Sequence, residues 1–279
     1  MPILRVSLTA GLHALLEETI GVRCSWQGSN TLSRILCVAN QKGGVGKTTT
    51  AINLATALAC GGSKTLLIDL DPQCNATGGL GLKPTEHHPL VSREPLKQSL
   101  RQTPTPGLDM LPGSRSFHDI ERLASDDQRH AATLRQHLDS GLSAYDYVLI
   151  DCPPSLGPLT RTALASSTEV LMPIQCEYFA MEGLTQMIEV IREVMNMPGG
   201  RLQFGGIVLT MYDHTLELTG EVEREVREFF GEIVFDTFIP RDVAVSESPS
   251  HGVSVLDYNP RARGTRAYVE LCMEVMERE

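Results

Sequence analysis

The sequence predicts an α/β fold, a doubly wound and mostly parallel sheet flanked by helices. Three observations carry that expectation: apolar segments of strand length alternate with helical stretches, a glycine-rich turn follows the first segment, and two later segments end in aspartate. Alternation of this kind gives parallel strands joined by right-handed crossovers, and ligand-binding loops gather at the carboxyl ends of such strands.

The first apolar segment, residues 35–39, reads as a buried strand, and Lys42-Gly43-Gly44-Val45-Gly46-Lys47-Thr48-Thr49 follows it as a phosphate loop. Gly43, Gly44 and Gly46 let the backbone amides turn toward a pyrophosphate, while Lys47 and Thr48 supply an ammonium for the β and γ phosphates and a hydroxyl for Mg²⁺. Ala51, Leu54, Ala55 and Leu58 then recur at helical spacing. The generic loop has glycine five residues before Gly46, where this chain has Gln41, and lysine comes one step later. One ammonium serves the bound nucleotide; Lys42, the second, calls for another role.

Residues 65–69 form the next strand, which runs into Asp69-Leu70-Asp71-Pro72-Gln73 and the flexible run Asn75-Ala76-Thr77-Gly78-Gly79. Strand-end acids beside a phosphate loop manage Mg²⁺ or water; the competing role is to cap the following turn. Residues 82–107 carry Pro84, Pro89, Pro95, Pro104 and Pro106 and read as a surface excursion with one short helix over 96–101. His87 and His88 lie in it and are expected to be solvated rather than metal-bound. The strand 147–151 ends in Asp151 before Cys152-Pro153-Pro154, the form of a Walker B segment in which Asp151 holds Mg²⁺ through water. Residues 169–173 and 205–210 supply two further strands.

A chain of 279 residues with 42% hydrophobic content buries a substantial core. The main domain is expected over residues 34–279, preceded by an extension over 1–33. Leu12, Leu15, Leu16 and Ile20 form an apolar stripe in that extension, but His13, Glu17 and Glu18 interrupt it, so it reads as neither signal peptide nor membrane span. We take it as a loose tail or the product of an upstream start codon. Cysteines at 24, 37, 60, 74, 152, 176 and 272 form no CxxC pair, as expected of reduced thiols in a cytoplasmic protein without a disulfide framework or structural zinc. The formal charge of −10 excludes a uniformly basic nucleic-acid coat while leaving room for a local basic patch.

The early lysine makes the loop resemble the deviant Walker A box of the ParA/MinD ATPase superfamily, a class of P-loop nucleoside triphosphatase. Three further stretches extend the likeness to the chromosomal ParA proteins called Soj over residues 34–277. They are Pro173-Ile174-Gln175-Cys176-Glu177-Tyr178-Phe179-Ala180-Met181-Glu182-Gly183, Leu209-Thr210-Met211-Tyr212-Asp213, and Ile239-Pro240-Arg241-Asp242 through Ser248-Pro249-Ser250-His251-Gly252. The resemblance implies a homodimer that sandwiches ATP, in which Lys42 reaches the other subunit's nucleotide. It implies ATP and Mg²⁺ as cofactors and Lys42, Lys47 and Asp71 as the catalytic set, with Asp71 orienting the attacking water. Thr48, Asp69 and Asp151 would serve the metal. The segment from Gly43, Gly44, Val45 and Gly46 through Lys47, Thr48 and Thr49 would hold the phosphates, with Met211, Pro240 and Asp242 near the adenine. Slow hydrolysis stimulated by a ParB-like partner, nonspecific DNA binding and a role in chromosome or plasmid segregation follow, with a nucleoid-associated location where DNA is held.

Two departures bear on DNA. Family members often carry arginines associated with DNA binding where this chain has Thr215 and Ala244, which removes up to about four phosphate contacts from a dimer. Arg261, Arg263 and Arg266 form a basic cluster that compensates or, equally, serves as ordinary solvated helix-end charge. Asp242 also stands in place of the more usual asparagine. Alternatives in other classes are an orphan relative that positions a protein cargo and a nucleotide-gated scaffold with negligible hydrolysis. A MinD-like membrane switch is disfavoured by the acidic tail over 270–279, a metal-cluster carrier by the lack of paired cysteines, and a GTPase by the lack of an Asn-Lys-x-Asp segment.

Overall fold

The computed structural model describes residues 33–86, 88–92, 95–117, 136, 144–177 and 184–278. All but the last residue of the 1–33 extension, and the stretch Tyr178 to Gly183, lie outside them. Among the described residues eight strands form one sheet: β1 (Arg34–Val38), β2 (Thr65–Asp69), β3 (Arg101–Gln102), β4 (Leu108–Leu111), β5 (Tyr147–Asp151), β6 (Glu169–Gln175), β7 (Gln203–Tyr212) and β8 (Val234–Pro240). Their spatial order is β3-β4-β2-β5-β1-β6-β7-β8, parallel throughout except for the antiparallel β3–β4 pair. The five expected strands are all present. The chain leaves β1 between β5 and β6, so the cleft of this doubly wound sheet opens at the end of β1.

Period-two alternation along the central strands separates two cores. Leu36, Val38, Leu67, Tyr147 and Leu149 face the layer under helix α1 (Lys47–Cys60), while Ile35, Cys37, Leu66, Ile68, Val148 and Ile150 face the opposite layer. The second layer is covered by α3 (Pro158–Ser166), α4 (Leu184–Met195) and α5 (Glu217–Phe230), each presenting an apolar stripe. A short helix, α2 (Asn75–Gly79), follows β2, and α6 (Val243–Glu247) follows β8. With both faces covered, the central strands are uniformly apolar, which is why sequence pattern finds them.

The terminal helix α7 (Arg263–Glu277) packs on α1 and β8. Its acidic character has a structural use, because the Glu274 carboxylate accepts from the amides of Asp236 (2.7 Å) and Thr237 (3.0 Å) and so covers the free edge of β8. Among the described residues no helix is long and apolar enough to cross a membrane. At the opposite end of the sheet from the phosphate loop, Arg34 makes two bonds to the Glu169 carboxylate (2.7 and 2.6 Å) and a third to the Val275 carbonyl (2.7 Å). One guanidinium thereby ties β1, β6 and α7 together.

The 82–107 excursion is more ordered than its prolines suggest. The short helix is Leu96–Ser99, ending early because Arg101 and Gln102 pair with Met110 and Asp109 as β3. His88 is buried, not solvated: its ring lies 4.5 Å from that of Phe117, and its Nδ1 accepts from the Leu90 amide at 3.2 Å. His87 lies outside the described residues.

Candidate functional site

Backbone geometry builds the phosphate loop first. Gly44 (φ 75°) and Gly46 (φ 87°) take left-handed conformations that a β-carbon disfavours, and helix α1 starts immediately after them. The turn is pinned at two points. Asn40 donates its amide to the Pro173 carbonyl (2.7 Å) and accepts from Lys42 N (3.0 Å), while the Thr210 hydroxyl donates to Val45 O (2.9 Å). The strands on one side of β1, β6 and β7, thus hold the loop open for an anion at the amino end of α1.

Lys47 is buried at 6% exposure, and its ammonium folds back on the loop to donate to the Lys42 carbonyl at 2.8 Å. Burial lowers its pKa; the Asp151 carboxylate, then Cys152 and Asp71, work in the other direction. Lys42 is only partly buried, and its ammonium has no hydrogen-bond or ion-pair partner among the described residues. The two lysines are therefore separated by structure: one faces inward, and the other is available to an external acceptor.

Gly43, Gly44, Lys47, Thr48, Asp71 and Gln73 surround a cavity of about 390 Å³, completed by Thr49, Asn75, Pro154 and Met211. Of the residues predicted to hold the phosphates, all but the buried Val45 share this one space with Asp71. Asp71 is held by its own turn: Oδ1 accepts from Gln73 N (2.8 Å), and its carbonyl accepts from Cys74 N (2.8 Å). Cys74, which closes the turn, then takes a left-handed φ of 55° as the chain enters α2.

Asp69, expected to support the metal shell, has a carboxylate engaged within the protein. Its Oδ1 accepts from Asp71 N (3.1 Å), and its Oδ2 accepts from both the amide (2.9 Å) and the hydroxyl (2.6 Å) of Thr77. Three donors occupy the carboxylate, so it anchors the Asp71 loop, the turn-capping role weighed for it from sequence. Burial pushes its pKa up to about 6, against the Thr77 hydrogen bonds that favour the anion.

Asp151 is the converse case. It is fully buried, and neither carboxylate oxygen has a donor in hydrogen-bond geometry, although the Thr48 hydroxyl lies close enough to favour the anion. Burial first, then Asp69, holds its pKa well above the usual carboxylate range. A buried carboxylate without a donor beside a phosphate loop fits a hard cation. Among the described residues no cluster of three acidic, histidine or cysteine side chains forms a self-contained metal cage. Mg²⁺ takes one or two protein carboxylates and completes its shell with water and substrate phosphate, and Asp151 beside the Thr48 hydroxyl offers such a partial set.

A second, smaller cavity of about 120 Å³ adjoins the loop and is lined by Gly46, Met211, Pro240, Asp242 and Tyr268 among others. Met211, Pro240 and Asp242 thus lie together beside the phosphate cavity. Met211 is left-handed at φ 52°, a conformation costly for an unbranched L residue and found where a site constrains the backbone. The Asp242 carboxylate is engaged, accepting from Ala244 N and Gly264 N at 2.8 Å each, so it joins α6 to α7.

The basic cluster sits at the start of α7. Arg261 is exposed, Arg263 leans on the Arg241 carbonyl (3.4 Å), and Arg266 pairs with Glu270 (2.8 Å) on the same helix. Thr215 closes a surface turn on Asp213, and Ala244 is buried at 8% exposure. Sequence reasoning missed Thr77, Asn40 and Thr210, whose roles depend on partners far along the chain.

A family model described as an AAA domain matches residues 33–204. The chromosome partitioning protein ParA of Caulobacter vibrioides is 45% identical over 253 residues, covering 88% of this chain and 95% of that protein. The chromosome-partitioning ATPase Soj of Treponema pallidum is 43% identical, covering 89% and 99%. Among solved structures, the cell division ATPase MinD of Pyrococcus furiosus superposes with a TM-score of 0.73 at 27% identity, covering 88% of this chain and 99% of that one. A cobyrinic acid a,c-diamide synthase from Mycobacterium smegmatis, solved with bound ADP and magnesium, gives 0.71 at 32% identity, covering 79% and 93%.

Proposed function

The chain belongs to the ParA/MinD family of ATPases, and on that premise we propose that it is a partitioning ATPase that hydrolyses ATP with Mg²⁺ as an ATP-sandwich dimer. One observation carries the reading: the glycine amides, Lys47, Thr48 and Asp71 converge on one cavity of about 390 Å³. Phosphoryl transfer to water requires charge neutralisation and an aligned nucleophile rather than covalent chemistry, and this set supplies both.

The loop amides and the Lys47 ammonium neutralise the β and γ phosphate oxygens. Thr48 and Asp151 would hold Mg²⁺, which when bound offsets charge between those phosphates. Asp71, fixed by its two-sided turn, orients the water for in-line attack. Lys42, whose ammonium has no partner among the described residues, serves the nucleotide of a second subunit and makes hydrolysis depend on dimerisation. The smaller cavity at Met211 and Pro240 takes the base, where Asp242 acts as a brace between α6 and α7 rather than through a free carboxylate.

The names that the relatives carry support a role in chromosome partitioning, and a ParB-like activator and a cytoplasmic location complete the reading. The decisive experiment is ATP turnover of the parent protein against Asp71→Ala, with and without an activator encoded nearby. Equal turnover of the two removes Asp71 from the mechanism. DNA is tested separately, by gel shift of nonspecific duplex with ATP across a salt series. Loss of the shift in an Arg261→Ala, Arg263→Ala, Arg266→Ala variant assigns the contact to the α7 cluster. Should the parent itself give no shift, a protein cargo is favoured, in keeping with Thr215 and Ala244.

A further inference from the structure

Asp71 is useful only if its carboxylate is held in register with the phosphate loop, and the atoms that hold it trace back through Asp69 to a residue outside the phosphate-loop and metal sets. Thr77 is wholly buried on α2, and its hydroxyl is used twice. It donates to Asp69 Oδ2 at 2.6 Å and accepts from the Gly113 amide at 2.8 Å. The Thr77 amide adds a second bond to the same oxygen at 2.9 Å, and the other oxygen of Asp69 receives the Asp71 amide at 3.1 Å. The chain of contacts therefore runs from the segment after β4, through the Thr77 hydroxyl and the Asp69 carboxylate, to the backbone of Asp71.

Gly113 is part of the same device. A β-carbon there would stand 2.9 Å from Asp69 Cγ, 3.0 Å from Asp69 Oδ2 and 3.1 Å from Cys74 Sγ. Its φ is not positive, so the requirement for glycine is one of space, not of backbone conformation. The missing side chain lets the amide come close enough to bond the Thr77 hydroxyl. Serine at position 77 retains the double hydrogen bond; valine, nearly isosteric with threonine, abolishes both halves and leaves a buried amide and a buried carboxylate short of a partner.

We propose that Thr77 is a positioning residue for hydrolysis, locking the Asp71 turn against the β4 exit through Asp69 and Gly113. The inference rests on the ATPase reading and on Asp71 as the water-orienting group. A displacement of about 1 Å in such a group costs on the order of a hundredfold in rate without a matching loss of ground-state binding.

The test compares Thr77→Val, Thr77→Ser and Gly113→Ala with the parent, measuring ATP affinity by titration, single-turnover hydrolysis at saturating Mg²⁺-ATP, and melting temperature. Expected are a hydrolysis rate at least about tenfold lower for Thr77→Val and Gly113→Ala, ATP affinity within about threefold of the parent, and near-parent rates for Thr77→Ser. Three results overturn the inference: Thr77→Val turning over like the parent, valine and serine being equally slow, or the rate falling only in proportion to affinity or melting temperature. Failure of the ATPase reading is distinguishable, since it appears in the parent, as absent ATP binding or turnover, and takes this inference with it.

Discussion

Replacing Asp151 by asparagine should make the nucleotide-free protein more stable and the nucleotide-bound protein less responsive. The carboxylate is fully buried without a donor in hydrogen-bond geometry, so its charge is opposed by burial and by neighbouring Asp69, while Thr48 and Lys47 act in its favour. Its folded pKa lies well above the reference 3.8, so the folded state binds the proton more tightly than the unfolded chain. A raised acid makes stability fall as pH rises from the unfolded pKa toward the folded one. At about pH 7.5 that penalty cannot exceed about 5 kcal/mol, because beyond it the group takes up a proton. Asparagine removes the charge, but it also removes the opposite charge that Lys47 feels most. A net gain of about 1–3 kcal/mol remains, a rise of several degrees in Tm for a chain of this size. With Mg²⁺-ATP the order reverses, since ligand linkage raises the parent's Tm and asparagine cannot serve the cation equally. Thermal melts in metal-free buffer at about pH 5 and 7.5, then with Mg²⁺-ATP, read out both halves. The variant's advantage should shrink at the lower pH. Should Asp151→Asn melt below the parent without metal, or gain as much from Mg²⁺-ATP, the buried carboxylate is neither a strained group nor a cation ligand.

Three further outcomes are expected. Lys42→Ala should bind ATP yet stay monomeric in light scattering with Mg²⁺-ATP, with turnover at least tenfold lower; a variant that pairs and hydrolyses normally contradicts the cross-subunit role. Arg34→Ala should cost about 3–5 kcal/mol in urea denaturation, because it strands the largely buried Glu169, while ATP affinity stays unchanged at the far end of the sheet. Gly206→Ala should lose about 1–3 kcal/mol in the same assay, because its new methyl would fall 2.4 Å from the Phe235 ring; an unchanged midpoint would mean that the ring moves aside freely.

How far the site can be read without coordinates depends on the range of each interaction. The phosphate loop is written in consecutive residues, since amide orientation at Gly44 and Gly46 and the placement of Lys47 are set within one turn. The central strands are likewise visible, being apolar on both faces. β8 escapes because it is an edge strand whose burial is broken at Asp236, Thr237 and Phe238, and β4 because Asp109 interrupts four residues. His88 looked like solvated loop sequence because its partner Phe117 lies well along the chain.

The sequence by itself determined the chemical inventory: two lysines on one glycine-rich turn, a hydroxyl for the metal, and acids at the ends of two apolar strands. Only the tertiary structure divided the labour among them. Asp69 and Asp151 are both strand-end aspartates on adjacent, registered strands, yet one meets three donors and the other none. Hydrogen-bond partners and desolvation come from whatever the fold packs alongside, and for Thr77 that is an amide 36 residues away. Local spacing sets which groups are present, whereas packing sets their charge, their freedom and hence their work.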